Sequence, residues 1–373
     1  MKKFAFLFVT ILFIAASADA KIRRVGFFGS PVSGTDYSTF ALAYTAAAAG
    51  DTILMFPSTS INNTISKKLT IIGPGNWLDP NGTPKGNANQ QAFAGIATIY
   101  SITFDPGSDG SVLMGFNGGT AYVRDNNITI ERNTELIVYI SYNVTSITNL
   151  QVLQNYRVFI INNSATSSST TNMNISNNLI QRFYTISGNT YSGNISNNVW
   201  AYDGQTTGGI NGGANTFTDN TNVELGGGAY LLQNNIFLSY TNTVAASNYN
   251  YFIFANGGNS IFNYNLGVQS STAINWGVGT GNVITAIANA PNIFTAFPTI
   301  GTTSADARYQ LKAGSPALTT GLGGTAIGMF TGTSPYKLST IPTIPTIYSL
   351  SSPQGNNPPG NTIQINVSTR GNN

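Results

Sequence analysis

The pentapeptide NISNN occurs twice in this chain, at residues 174–178 and 194–198. Each copy is followed by an apolar pair, Leu179-Ile180 after the first and Val199-Trp200 after the second. Looser echoes of the same pattern are Asn126-Asn127-Ile128, Asn234-Asn235-Ile236 and Asn263-Tyr264-Asn265-Leu266. Internal repetition at intervals of about 20 to 40 residues is typical of folds in which one small unit stacks on the next.

The repeated unit is predicted to consist of β-strands. Short apolar bursts are rich in β-branched and aromatic side chains and are bounded by Asn, Gly, Ser or Thr, which are strand signals. Examples are residues 128–130, 136–142, 157–161 and 230–238. One turn of a parallel solenoid needs roughly 20–25 residues. The unequal intervals here are expected if loops differ in size, and the Gly-rich segment 203–228 is the largest candidate insertion.

Asparagine suits the bend of such a unit for two reasons. It tolerates the left-handed backbone conformation, and its side-chain amide can bond to the same amide in the next unit of a parallel stack. The repeated pentapeptide therefore indicates two successive bends with stacked asparagines. The alternative is a chance recurrence in a chain rich in Asn, Ser and Ile.

The composition removes several classes of site. The chain has no histidine and no cysteine, so the usual general base and the thiolate metal ligands are missing. No run resembles a calcium loop, and we expect no metal and no cofactor. The net charge of +3 is spread without a basic cluster, which argues against a nucleic-acid partner. A hydrophobic content of 41%, with 18 Tyr and 21 Phe, argues against disorder.

The first twenty residues read as a secretory signal peptide. Two lysines precede an apolar run from Phe4 to Ala16, which is too short to span a bilayer. Ala18-Asp19-Ala20 supplies the small residues that a signal peptidase needs, so we expect cleavage after Ala20. No later segment is apolar for long enough to cross a membrane. We expect a secreted, extracellular or cell-surface protein.

Both ends of the mature chain resemble secreted bacterial right-handed parallel β-helix proteins of the pectin-lyase-like superfamily. The first matching stretch is ALAYTAAAAGDTILMFPSTSINNTISKKLTIIGPG, residues 41–75, and the second is RYQLKAGSPALTTG, residues 308–321, with Ile327-Gly328-Met329-Phe330 after it. The resemblance implies an all-β chain, a single right-handed parallel β-helix with a short N-terminal cap helix at about 36–50. It matches no single enzymatic family, because the superfamily contains lyases, hydrolases, adhesins and coils without known chemistry.

The acidic residues do not predict a catalytic site. Lyases and hydrolases of this superfamily need several acidic groups converging on one face. Asp51, Asp79, Asp105 and Asp109 lie beside turn residues and are interpreted as turn formers, while Asp203, Asp219 and Glu224 belong to the Gly-rich insertion. We assign no catalytic and no metal-binding residue.

The candidate ligand-binding residues come from two patterns. Arg132, Arg157 and Arg182 are spaced 25 and 25 residues apart, with Glu131 beside the first. A column of these side chains would bind an anionic polysaccharide, and the alternative is an ordinary solvated face. Trp200 and Tyr202, among other aromatic residues that accompany Asn and Gly, suit stacking on sugar rings, although solenoid interiors also hold stacked aromatics.

The domain organisation follows from these signals. We expect a signal peptide over 1–20, a parallel β-helix domain over 21–338 and a Pro-, Ser- and Asn-rich tail over 339–373 that ends in a strand. The tail either runs back along the helix or docks a partner. We expect a monomeric, non-catalytic surface or matrix protein that binds glycans or a cell-surface partner. The competing hypothesis is a polysaccharide lyase or glycoside hydrolase.

Overall fold

The structure is a computed structural model of the 373-residue chain. It describes residues 20–26, 30–79, 95–141, 143–162, 168–184, 190–201, 223–224, 228–238, 261–269, 276, 279–286, 289–297, 303–351 and 365–371. The fold is all-β, with mostly parallel strands in two sheets and few helices. Within the described residues, no helix is both long enough and apolar enough to cross a membrane.

Two large sheets contain nearly all of the strands, and we call them sheet A and sheet B. Sheet A contains β1 (Ile22–Val25), β2 (Asp36–Tyr37), β3 (Thr52–Met55), β5 (Thr70–Ile72), β7 (Val112–Met114), β9 (Thr129–Glu131), β11 (Ser146–Thr148), β12 (Gln151–Leu153), β14 (Ser169–Ser176), β16 (Thr190–Ser196), β19 (Gly228–Gln233) and β21 (Ile261–Asn263). Sheet B contains β4 (Ser60–Ile65), β6 (Thr98–Phe104), β8 (Thr120–Val123), β10 (Ile137–Ile140), β13 (Val158–Ile161), β15 (Leu179–Tyr184), β17 (Val199–Ala201), β18 (Val223–Glu224), β20 (Ile236–Leu238), β22 (Leu266–Gln269) and β23 (Val283–Ala286).

From β3 onward the chain mostly alternates between the two sheets, and most strands that follow one another within a sheet are parallel neighbours. This alternation is consistent with a β-helix-like solenoid. The two copies of NISNN lie on β14 and β16, where Asn174 pairs with Asn194, Ile175 with Ile195 and Ser176 with Ser196. The prediction that the two copies occupy equivalent places in successive repeats is confirmed.

A ladder of asparagines, all buried except the last, Asn282, connects the repeats where sheet A turns toward sheet B. The Nδ2 of each member donates to the Oδ1 of the next, as from Asn178 to Asn198 at 3.0 Å and from Asn198 to Asn235 at 3.0 Å. The same Nδ2 also donates to a backbone carbonyl, and the next Oδ1 also accepts the backbone N–H. The members are Asn133, Asn155, Asn178, Asn198, Asn235, Asn265 and Asn282.

The main core lies between the sheets. It consists of the inward-facing residues of both, such as Ile71 and Ile130 from sheet A and Phe104 and Val138 from sheet B, all fully buried. Helix α1 (Phe40–Ala46) closes the N-terminal end, because Phe40 and Ala43 belong to the same core. Thr39 caps α1 by accepting the Leu42 N–H. The helix is shorter than the predicted stretch, since Ala47 already has extended backbone angles.

A second core lies on the outer side of the later strands of sheet B. Their outward residues are apolar: Leu179, Val199, Ala201, Ile236, Leu238, Leu266 and Val268. Two segments pack over these residues. The first is residues 293–297, which begin at the last residue of helix α2 (Ala290–Ile293), and the second is residues 303–343. We call residues 303–343 the strap. It includes four short 3-10 helices, Ala307–Tyr309, Pro316–Leu318, Leu322–Gly324 and Leu338–Thr340.

The strap runs back along the stack toward the first repeats. The Leu322 N–H donates to Asn234, Asn177 donates to the Met329 and Thr331 carbonyls, and Asn76 donates to Thr340. After the strap, β24 (Thr346–Ser351) and β25 (Asn366–Arg370) form a separate antiparallel pair. Packing against the stack therefore continues past residue 338, where the sequence placed the start of the tail.

Candidate binding face

Arg132 lies under the strap. Its side chain is 4% exposed, its Nε donates to Gln154 Oε1 at 2.7 Å and its Nη1 donates to the Ile341 carbonyl at 2.9 Å. Burial lowers the pKa of Arg132, while neighbouring Glu131 acts in the opposite direction. Burial raises the pKa of Glu131, which lies half-buried at the end of β9. In this position Arg132 holds the strap to the stack.

Arg157 and Arg182 occupy different positions again. Arg157 forms an ion pair with Glu135 of the preceding repeat. Arg182 lies on β15, directly beside Phe159 of β13. The three arginines therefore do not form a column.

The reason is the length of the repeats. Successive members of the asparagine ladder are 22, 23 and 20 residues apart from Asn133 to Asn198. Residues spaced 25 apart are therefore not at equivalent positions in successive repeats. Relative to the ladder asparagine of its own repeat, the first arginine lies one residue before, the second two residues after and the third four residues after; the pairs are Arg132 and Asn133, Arg157 and Asn155, and Arg182 and Asn178.

The two candidate aromatic residues are not equivalent either. Trp200 is 1% exposed and stacks on Phe237 inside the main core, with ring centroids 5.3 Å apart. It is a core residue, as the alternative reading of the aromatic pattern allowed, and its burial leaves it without access to a ligand. Tyr202 lies outside the described residues.

The structure brings other aromatic residues to the surface of sheet B. Along β8 and β10, Ala121, Val123, Val138 and Ile140 face the main core, so the residues between them point outward. Tyr122 pairs with Tyr139 in the sheet register, and their rings stack with centroids 5.1 Å apart and planes at 9°. We call the partly exposed outward residues on β6, β8, β10, β13 and β15 the aromatic face: Ser101, Thr103, Thr120, Tyr122, Tyr139, Phe159 and Arg182.

The aromatic face forms two rows across the strands. One row continues from Thr103 to Tyr122 and Tyr139, and the other runs from Ser101 through Thr120 to Phe159 and Arg182, with Ile137 between. Neighbouring strands are about 4.8 Å apart, so each row is a close-spaced track along the stack. All seven side chains are partly exposed. The face thus combines aromatic rings, hydroxyl groups and one guanidinium.

The strap separates this region from the rest of sheet B. The apolar residues that pair in the later strands, from Val199 to Val268, are buried beneath strap residues such as Ile327 and Met329. On β8 the outward positions hold Thr120 and Tyr122 instead, and on β10 they hold Tyr139 and the buried Ile137. The outer surface of sheet B therefore has an apolar part under the strap and a partly exposed part that contains the aromatic face.

The outward position of these two tyrosines could have been predicted from the alternation of residues along their strands, whereas the regular spacing of the arginines pointed to other residues. Tyr122 and Tyr139 are each the third residue of a four-residue strand, in TAYV and IVYI. A period-2 reading of both strands places each tyrosine opposite the apolar core positions.

The aspartates near the first repeats form hydrogen bonds with backbone N–H groups and ion pairs with arginines. Asp51 accepts the Lys21 and Ala48 N–H groups and pairs with Arg23 at 2.9 Å, which fixes the first strand to the cap. Asp105 pairs with Arg124 at 3.0 Å, and Asp125 accepts the Gly107 N–H. In the part of the chain that the structure describes, no group of three or more acidic side chains is placed to hold a metal ion.

Comparison with known proteins identified no similar protein. No family model matches the chain, no curated protein matches it, and no solved structure matches its fold.

Proposed function

We propose that this chain is a secreted, non-catalytic protein of the right-handed parallel β-helix type that binds glycans through the aromatic face. The export signal read in residues 1–20 and the resemblance of residues 41–75 and 308–321 to pectin-lyase-like proteins support the class. The observation that carries the function is the stacked pair Tyr122 and Tyr139, with Phe159 and Arg182 in the neighbouring row of the same face.

The chemistry of the face fits a sugar chain. Aromatic rings pack against the apolar faces of pyranose rings, and the hydroxyls of Tyr, Ser and Thr exchange hydrogen bonds with sugar hydroxyls. Arg182 adds one cation that can bind an acidic substituent. None of the seven described residues of the face is acidic, whereas the competing lyase or hydrolase hypothesis requires carboxylates beside the bound sugar.

A glycan array followed by titration of the best soluble oligosaccharide tests the proposal. Tyr122→Ala and Tyr139→Ala should each weaken binding by about fivefold or more, because each removes a stacking surface. Tyr139→Phe keeps the ring and should retain most of the affinity. Leu42→Ala serves as the control, since Leu42 is 53% exposed on α1.

Two results would overturn the proposal. Wild-type affinity in both alanine variants would remove the aromatic face from the binding site. Release of unsaturated uronate products by the wild-type protein, lost in Arg182→Ala or Arg157→Ala, would establish the lyase instead.

A further inference from the structure

Residues 304–373 carry an excess of three positive side-chain charges, which equals the net charge of the full sequence. Of the 16 basic and 13 acidic residues, four and one lie in residues 304–373, which leaves twelve of each in the rest of the chain. The basic residues are Arg308, Lys312, Lys337 and Arg370, and the acidic residue is Asp306.

The single acid of this region does not face the surface. Asp306 is fully buried and accepts hydrogen bonds from Ser304 Oγ at 2.6 Å, the Ser339 N–H at 2.6 Å and the Tyr336 hydroxyl at 3.1 Å. Arg308 is also buried, at 3% exposure. The charged side chains that the region presents to solvent are therefore cationic.

Two of these cations line a cleft between the strap and the end of β25. The cleft has a volume of about 340 Å³ and is lined by Gln310, Phe330, Tyr336, Lys337, Leu338, Ile341, Arg370 and Gly371. No carboxylate is among these residues. The rings of Phe330 and Tyr336 meet edge to face, with centroids 5.3 Å apart, and give the cleft a rigid aromatic wall.

We infer that this cleft binds an organic anion of about monosaccharide size, with its carboxylate or sulfate between Lys337 and Arg370. The volume is at the lower end of the range for small-molecule sites, about 300–1,000 Å³. The paired cations attract and orient the anionic group, and the aromatic and aliphatic wall packs against the body of the ligand. The site is separate from the aromatic face and does not depend on it.

Calorimetric titration of the full chain with D-glucuronate, D-glucose 6-sulfate, D-glucose and inorganic sulfate tests the inference. Glucuronate or glucose 6-sulfate should bind at least tenfold more tightly than glucose. Inorganic sulfate should bind more weakly than either, because it has no body to pack against Phe330. The preferred acid identifies which anionic group the cleft takes. Added salt should weaken binding, since both cations are partly solvated.

Point variants locate the site. Lys337→Gln and Arg370→Gln should each weaken binding of the preferred acid by about threefold to tenfold. Lys312→Gln removes a cation outside the cleft, and Tyr139→Ala alters the aromatic face, so both should bind as the wild type does. Equal affinity for glucose and both acids, tightest binding of inorganic sulfate, or wild-type affinity in both cleft variants would overturn the inference. A loss only in Tyr139→Ala would place the anion on the aromatic face instead.

Discussion

At the scale of single residues, the two adjacent asparagines that end NISNN have different roles. Asn177 and Asn197 have positive φ values of 59° and 54°, so they supply the left-handed bend. Asn178 and Asn198 are the buried ladder members whose amides bond from one repeat to the next. Both properties were predicted for asparagine at a bend, and the structure divides them between neighbours.

The first prediction concerns the ladder. Asn198→Ala should lower the free energy of unfolding by about 3 kcal/mol or more, because it leaves the Asn178 N–H and the Ile175 carbonyl without their partners inside the molecule. Asn194→Ala changes an exposed asparagine of the same pentapeptide and should cost less than about 0.5 kcal/mol. Denaturant unfolding of both variants measures the difference, and equal stabilities would contradict a role for the ladder.

At the scale of elements, the strap is the feature that the sequence located least well. A tail that returns along the stack from residue 339 is one of the two possibilities that the sequence allows, whereas in the structure the return begins at residue 303. Residues 308–321, the second stretch that resembles β-helix proteins, belong to no strand of the two sheets and pack on the outside of sheet B. Short apolar stretches with Gly and Pro do not reveal which surface they will cover.

The second prediction tests the strap. Ile327 is fully buried against the later strands of sheet B, so Ile327→Ala should cost about 2–4 kcal/mol. Leu322 lies on the same strap but is 49% exposed, and Leu322→Ala should stay within about 0.5 kcal/mol of the wild type. Thermal or denaturant unfolding of the pair provides the measurement. A cost below 1 kcal/mol for Ile327→Ala would mean that the strap contributes little to stability.

At the scale of the whole molecule, the strap connects repeats that are not neighbours in the two sheets. Tyr156 donates to the Ala305 carbonyl across 149 residues, and Asn76 donates to Thr340 across 264 residues. The first repeats are thereby bonded to the last part of the described chain. We expect a change inside the strap to affect the stability of the entire fold.

The third prediction uses the buried carboxylate of the strap. Burial raises the pKa of Asp306 above its ordinary value of 3.8, although hydrogen bonds from Ser304, Ser339 and Tyr336 oppose the shift. The folded state thus keeps a proton that the unfolded chain has released, and stability should fall as the pH rises from 3.8 through the raised pKa. Asp306→Asn should flatten this slope in unfolding measured from pH 3.5 to 7. An unchanged slope would contradict the assignment.

The sequence by itself determined the repeat, its parallel β-structure and the asparagines at its bends, because those depend on local backbone preferences repeated at short intervals. It did not determine which residues share a surface, since repeat lengths vary and a fixed spacing such as that of Arg132, Arg157 and Arg182 loses register. Only the tertiary structure decided that Arg132 lies under the strap and that Tyr122 and Tyr139 lie on a partly exposed face. Those outcomes depend on contacts between residues far apart in the chain. The strap packs where it does because it buries the apolar outward residues of the later strands of sheet B.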